Sequence, residues 1–74
     1  MRLREGAPEL TPRQREVLEL VGSGLSYGKV ALRLGISRET VRVYARQVHA
    51  VLNGEYRLLN PRDALQQFFH NDRD

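Results

Sequence analysis

Gly35-Ile36-Ser37 constrains this chain more than any other three residues. Glycine enters the left-handed backbone region without a steric penalty, so Gly35 suits the position just past a helix end. Serine is among the best helix caps, and Ser37 is placed to start a new helix at once. With only Ile36 between them, pointing inward, the two helices must meet at a tight turn. That is the connection of a helix-turn-helix.

The flanking segments bear the helical period this requires. Ser26 is the expected cap of a helix running to Leu34, whose inward side at 3.6 residues per turn carries Tyr27, Val30, Ala31 and Leu34. The helix after the turn is expected from Arg38 to about Leu52. Val41, Tyr44, Ala45, Val48 and Leu52 share one side of it, with Arg38, Arg42, Arg46 and His49 along the other.

Two further helices have their own start signals. In Thr11-Pro12-Arg13-Gln14 the threonine can cap, proline suits the first helical position, and Gln14 can reach back to close a capping box. This helix should end at Gly22, with Val17, Leu20 and Val21 as its buried stripe. Asn53-Gly54 stops the arginine-bearing helix, and residues 53–59 form a connector. Asn60 as cap, Pro61 and Asp63 then announce a last helix with Ala64, Leu65, Phe68 and Phe69 on its apolar stripe. The expected class is all-α, a four-helix helix-turn-helix domain over residues 10–70, with a flexible arm at 1–9 and a polar, fraying tail at 71–74.

Composition removes several functions. At 74 residues there is room for one domain, and 41% hydrophobic with 28% charged residues is a globular balance. Without cysteine there is no disulfide framework and no thiolate metal site. His49 and His70 are too few and too far apart in sequence for a helical metal pair, so neither a metal nor a cofactor is expected. Gly22-Ser23-Gly24 lacks the lysine and hydroxyl residue of a phosphate loop, and no nucleophile and base set is visible, so catalysis is not expected. No apolar run approaches the roughly 20 residues of a membrane helix, and the basic, charged start lacks a signal peptide's apolar stretch. The default location is the cytoplasm.

The net charge of +3 and a pI near 10.0 suit a polyanionic partner. Placement says more than the total. Arg38, Arg42 and Arg46 recur every four residues on one helix face, whereas solvated faces usually mix signs. Arginine makes paired hydrogen bonds to guanine, and the outward apolar Val43 can meet a thymine methyl. The alternative is that the arginines form only a wet face.

Leu10 to Leu18, Gly24-Leu25-Ser26, Leu34 to Ser37 and Thr40 to Val43 occur in order and at the spacing of a known family. Over residues 10–52 the chain resembles the LuxR/FixJ-type (GerE-like) helix-turn-helix DNA-binding domain. The resemblance implies a transcriptional regulator that binds double-stranded DNA as a homodimer. It puts base contacts on Arg42, Val43 and Arg46, with phosphate contacts expected from Ser26, Lys29, Ser37, Arg38 and Thr40. It also implies a dimer contact on the fourth helix, for which Leu65, Phe68 and Phe69 are candidates, although they could equally fill the domain's own core.

The chain departs from that family in three places. Tyr27-Gly28-Lys29 stands where the family commonly has Asn-Lys-Glu, Tyr44 replaces a usual histidine, and the connector is longer. Leu32 is expected outward at a position usually polar, which hints at a protein partner or is an isolated exposed leucine. Leu25-Ser26-Tyr27 and Thr40-Val41-Arg42 are also similar to the fourth region of sigma factors. A further alternative is a small helical adaptor that binds RNA polymerase or another regulator.

Overall fold

The computed structural model describes residues 10–73, and the arm expected over 1–9 lies outside them. Four α-helices appear in chain order: α1 (Pro12–Gly22), α2 (Tyr27–Leu34), α3 (Arg38–Ala50) and α4 (Pro61–Arg73). A 3-10 turn over Gly54–Leu58 lies between the last two, and there is no strand among the described residues.

Each helix starts where side-chain chemistry satisfies its free amides. Gln14 N donates to Thr11 Oγ1 at 3.1 Å while Thr11 N donates to Gln14 Oε1 at 3.0 Å, the complete capping box. Ser26 Oγ accepts from Lys29 N at 3.2 Å, and Ser37 Oγ accepts from Thr40 N at 3.0 Å. Asp63 N donates to Asn60 Oδ1 at 2.9 Å. Gly35 closes α2 with φ of 69°, so the tight turn forms as its sequence requires.

Every helix contributes to one core. Val17, Leu18 and Val21 of α1 meet Val30 and Ala31 of α2, Val41, Ala45 and Val48 of α3, and Ala64, Leu65 and Phe68 of α4. No polar side chain is buried among the described residues. The most extensive packing joins α1 to α4. Gln14 Nε2 adds a tie from α1 to α3, donating to Gln47 Oε1 at 3.0 Å.

Several expectations need correction. Leu65 and Phe68 are 0% and 1% exposed, so the domain's own core takes them and they cannot form a dimer surface. Phe69 is half-buried, with its ring against Gly22 of α1. In α1 the fully buried leucine is Leu18, while Leu20 is only half-buried. Helix α3 ends at Ala50, two residues early, because Val51 N and Leu52 N bond the carbonyls three residues back and tighten the chain. The backbone of α4 continues to Arg73, past the expected fraying point.

The connector is held by Tyr56. Its carbonyl lies 3.0 Å from His49 Nε2, its hydroxyl accepts from Asn71 Nδ2 at 2.8 Å, and its ring meets Phe68 edge-on at 5.5 Å. His49 therefore leaves the arginine face to which the helical period assigned it, and is half-buried against the connector.

Candidate nucleic-acid interface

Helix α3 separates its two jobs by position. Val41, Ala45 and Val48 are fully buried, while Arg38, Arg42 and Arg46 are exposed and Val43 is 37% exposed. Burial of the first set fixes the rotation of the helix about its axis, which holds the second set outward. Arg42 Nε lies 3.9 Å from Glu39 Oε1. Both side chains are more than half exposed, so this contact binds the arginine only weakly. Arg38 and Arg46 have no carboxylate within ion-pair distance among the described residues.

Beside this face runs an open cleft of about 500 Å³ between the start of α2, the outer side of α3 and the start of α4. Ser26, Arg38, Arg42 and Arg46 line it, as expected of interface residues. Tyr27, Gly28, Asn60, Pro61 and Arg62 complete the lining, so four arginines and no acid surround one space. Gly28 lets the Arg38 guanidinium lie over the first turn of α2, since a methyl group there would be 3.2 Å from its terminal nitrogen. Burial pushes the Tyr27 phenol above its ordinary value, and the nearby Arg62 and Arg42 charges act against that rise. The phenol is therefore protonated at neutral pH and able to donate.

The remaining expected contact residues lie elsewhere. Lys29 borders an adjoining depression with Leu32, Ser26 and Arg38. Ser37 and Thr40 face one another with their hydroxyl oxygens 2.8 Å apart, at the start of α3. Tyr44 is half-buried against the core, on the inward side that the period assigned to it. Sequence reading missed Asn60 and Arg62 as neighbours of the arginine face and took Tyr27 as wholly inward. One signal was available: Arg62 is a cation in the first turn of a helix, where the peptide dipoles favour an anion.

Among the described residues no group of three or more histidine, cysteine or acidic side chains could hold a metal ion, and no helix is long and apolar enough to cross a membrane. No curated protein and no solved structure matches the chain. The GerE family model, described as bacterial regulatory proteins of the luxR family, matches residues 8–56. That span includes the capping box of α1, the tight turn and all of α3 with its arginines, and stops before α4. With most of its length matched and its helices in this arrangement, the chain belongs to the luxR family of bacterial regulatory proteins as a helix-turn-helix transcription regulator domain.

Proposed function

We propose that this domain binds double-stranded DNA in a sequence-specific manner, with α3 in the major groove, and serves a cytoplasmic regulator of transcription. The observation that carries this reading is the line of Arg38, Arg42 and Arg46 on the exposed face of a helix whose other face is locked in the core. Arg42 and Arg46 read base edges, with Val43 against a thymine methyl. Ser26, Lys29, Ser37, Arg38 and Thr40 hold the backbone and set the register. No cofactor or catalytic step enters this reading.

Two copies on a two-fold symmetric site would double the length of sequence read. A homodimer then has to pair through a surface other than Leu65 and Phe68, which are consumed internally. A second reading, a helical adaptor for RNA polymerase, is favoured by Leu32 and Leu58, which are 84% and 88% exposed.

Selection from a random duplex library tests the main reading. Enrichment of a defined motif is expected, and replacing Arg42 or Arg46 by alanine should remove about 1–3 kcal/mol of discrimination at one base position. Enrichment of no motif, with retained capture of polymerase, would replace this reading with the adaptor.

A further inference from the structure

The cleft beside α3 brings like charges together. Arg38, Arg42 and Arg46 come from one helix, and Arg62 joins them from the first turn of another. Among the described residues none of these four has an ion-pair contact except Arg42, whose partner Glu39 lies at 3.9 Å. Asp63, the acid nearest to Arg62 in sequence, accepts from Asn60 Nδ2 at 3.0 Å and so serves the cap of its own helix. Mutual repulsion among these cations is a cost that a bound anion removes.

The polar groups lining the cleft match one kind of anion. Guanidinium groups are donors only, and the protonated phenol of Tyr27 adds a neutral O–H. Forks that approach from different helices suit an anion with several oxygens spread around one centre, as in a phosphate. The cleft is open to solvent and one of its walls is the outer side of α3, so a DNA strand whose bases meet Arg46 would pass along it.

We propose that this cleft seats one backbone phosphate of the bound DNA between Tyr27 of α2, Arg38 of α3 and Arg62 of α4, making the first turn of the fourth helix part of the DNA interface. The seat rests on the DNA-binding reading above. It accounts for a cation at a helix start despite the unfavourable dipole, because a phosphate would place a negative charge beside Arg62.

The test is the salt dependence of binding to a selected duplex and to a scrambled one, for the wild type, Arg62→Ala and Tyr27→Phe. Arg62→Ala should weaken binding to both duplexes by the same factor, about tenfold. It should also lower the slope of log affinity against log salt by about 0.9, the value for one phosphate contact. Tyr27→Phe should weaken binding less and leave the slope unchanged, since a neutral donor releases no counterion. Arg62 is exposed, and far-ultraviolet circular dichroism checks that its variant keeps the helical fold.

Wild-type affinity and slope in Arg62→Ala, with the wild type binding both duplexes, would overturn the seat and leave the DNA-binding reading intact. A wild type that binds neither duplex would overturn the reading and the seat together. A titration with inorganic phosphate, followed by the amide signals of Tyr27 and Gly28, separates the two sources of phosphate. Saturable binding that Arg62→Ala abolishes, with no change in DNA slope, would assign the cleft to a small phosphate compound instead.

Discussion

The same substitution at two glycines should act in opposite directions. Gly22, the last residue of α1, is buried, and the Cβ and Cγ of Phe69 occupy the space a methyl group would need, with Cδ2 3.0 Å from it. Phe69 Cβ is fixed to the backbone of α4 and cannot swing aside. Gly22→Ala must therefore push α4 from α1, an overpacking cost of about 1–3 kcal/mol. Taking the middle of that range, about 2 kcal/mol, and subtracting up to about 1 kcal/mol for the better helix propensity of alanine leaves a net loss of about 1–2 kcal/mol. For a domain of this size that lowers the midpoint by about 5–15 °C.

Gly28 presents the contrary case. A methyl group there meets only the guanidinium end of Arg38 at 3.2 Å, and that end is flexible. Its backbone φ is not positive, so alanine is not strained there. Propensity then decides, and Gly28→Ala should raise stability by about 0.5–1 kcal/mol. Thermal melts of the two variants, followed by circular dichroism at 222 nm, measure both shifts. A Gly22→Ala protein as stable as the wild type would refute the close approach of Phe69, and equal shifts of one sign would refute the contrast.

Three other outcomes are expected. Thr11→Ala removes half of the capping box and should cost about 1 kcal/mol, read as a lower urea midpoint with unchanged slope. Leu32→Ser should change stability by no more than about 0.5 kcal/mol, because Leu32 is 84% exposed, and a larger loss would mean that the leucine is covered in solution. The raised pKa of Tyr27 means that the folded state holds the phenolic proton more tightly than the unfolded chain, whose value is near 10.0. The resulting stability is complete below that pH and is lost as pH rises through the folded value. Wild type should lose stability relative to Tyr27→Phe as pH rises above about 10 in urea titrations, and parallel profiles would show that the phenol is not perturbed.

Helix starts were legible in the sequence because a cap is a reaction between residues three apart. Thr11 with Gln14, Ser26 with Lys29, Ser37 with Thr40 and Asn60 with Asp63 need no knowledge of the fold. The arginine face was legible for a similar reason, since the helical period is local. The end of α3 was not, because Leu52 keeps the apolar period while the backbone has already tightened. Nothing in the pattern of residues 53–59 announced an ordered connector, whose anchors on Tyr56 come from His49, Phe68 and Asn71. The stripe on α4 was visible, but periodicity cannot say what covers an apolar face. Arg62 joins Arg42 only through the packing of α4, a relation that no local pattern contains.

The pairing of α1 with α4 also determines the order in which the fold can be completed. These are the first and last of the four helices, so the largest contact in the domain joins the segments farthest apart along it. During synthesis Val17, Leu18 and Val21 leave the ribosome well before Leu65 and Phe68, and until then one side of their stripe is open to water. The helix-turn-helix can assemble early from neighbours in sequence, but its arginine face gains a firm backing only when the last helix closes over α1. The arginine face is therefore held firmly late and all at once, and a chain interrupted within α4 would carry every arginine of α3 on a support that has not yet closed.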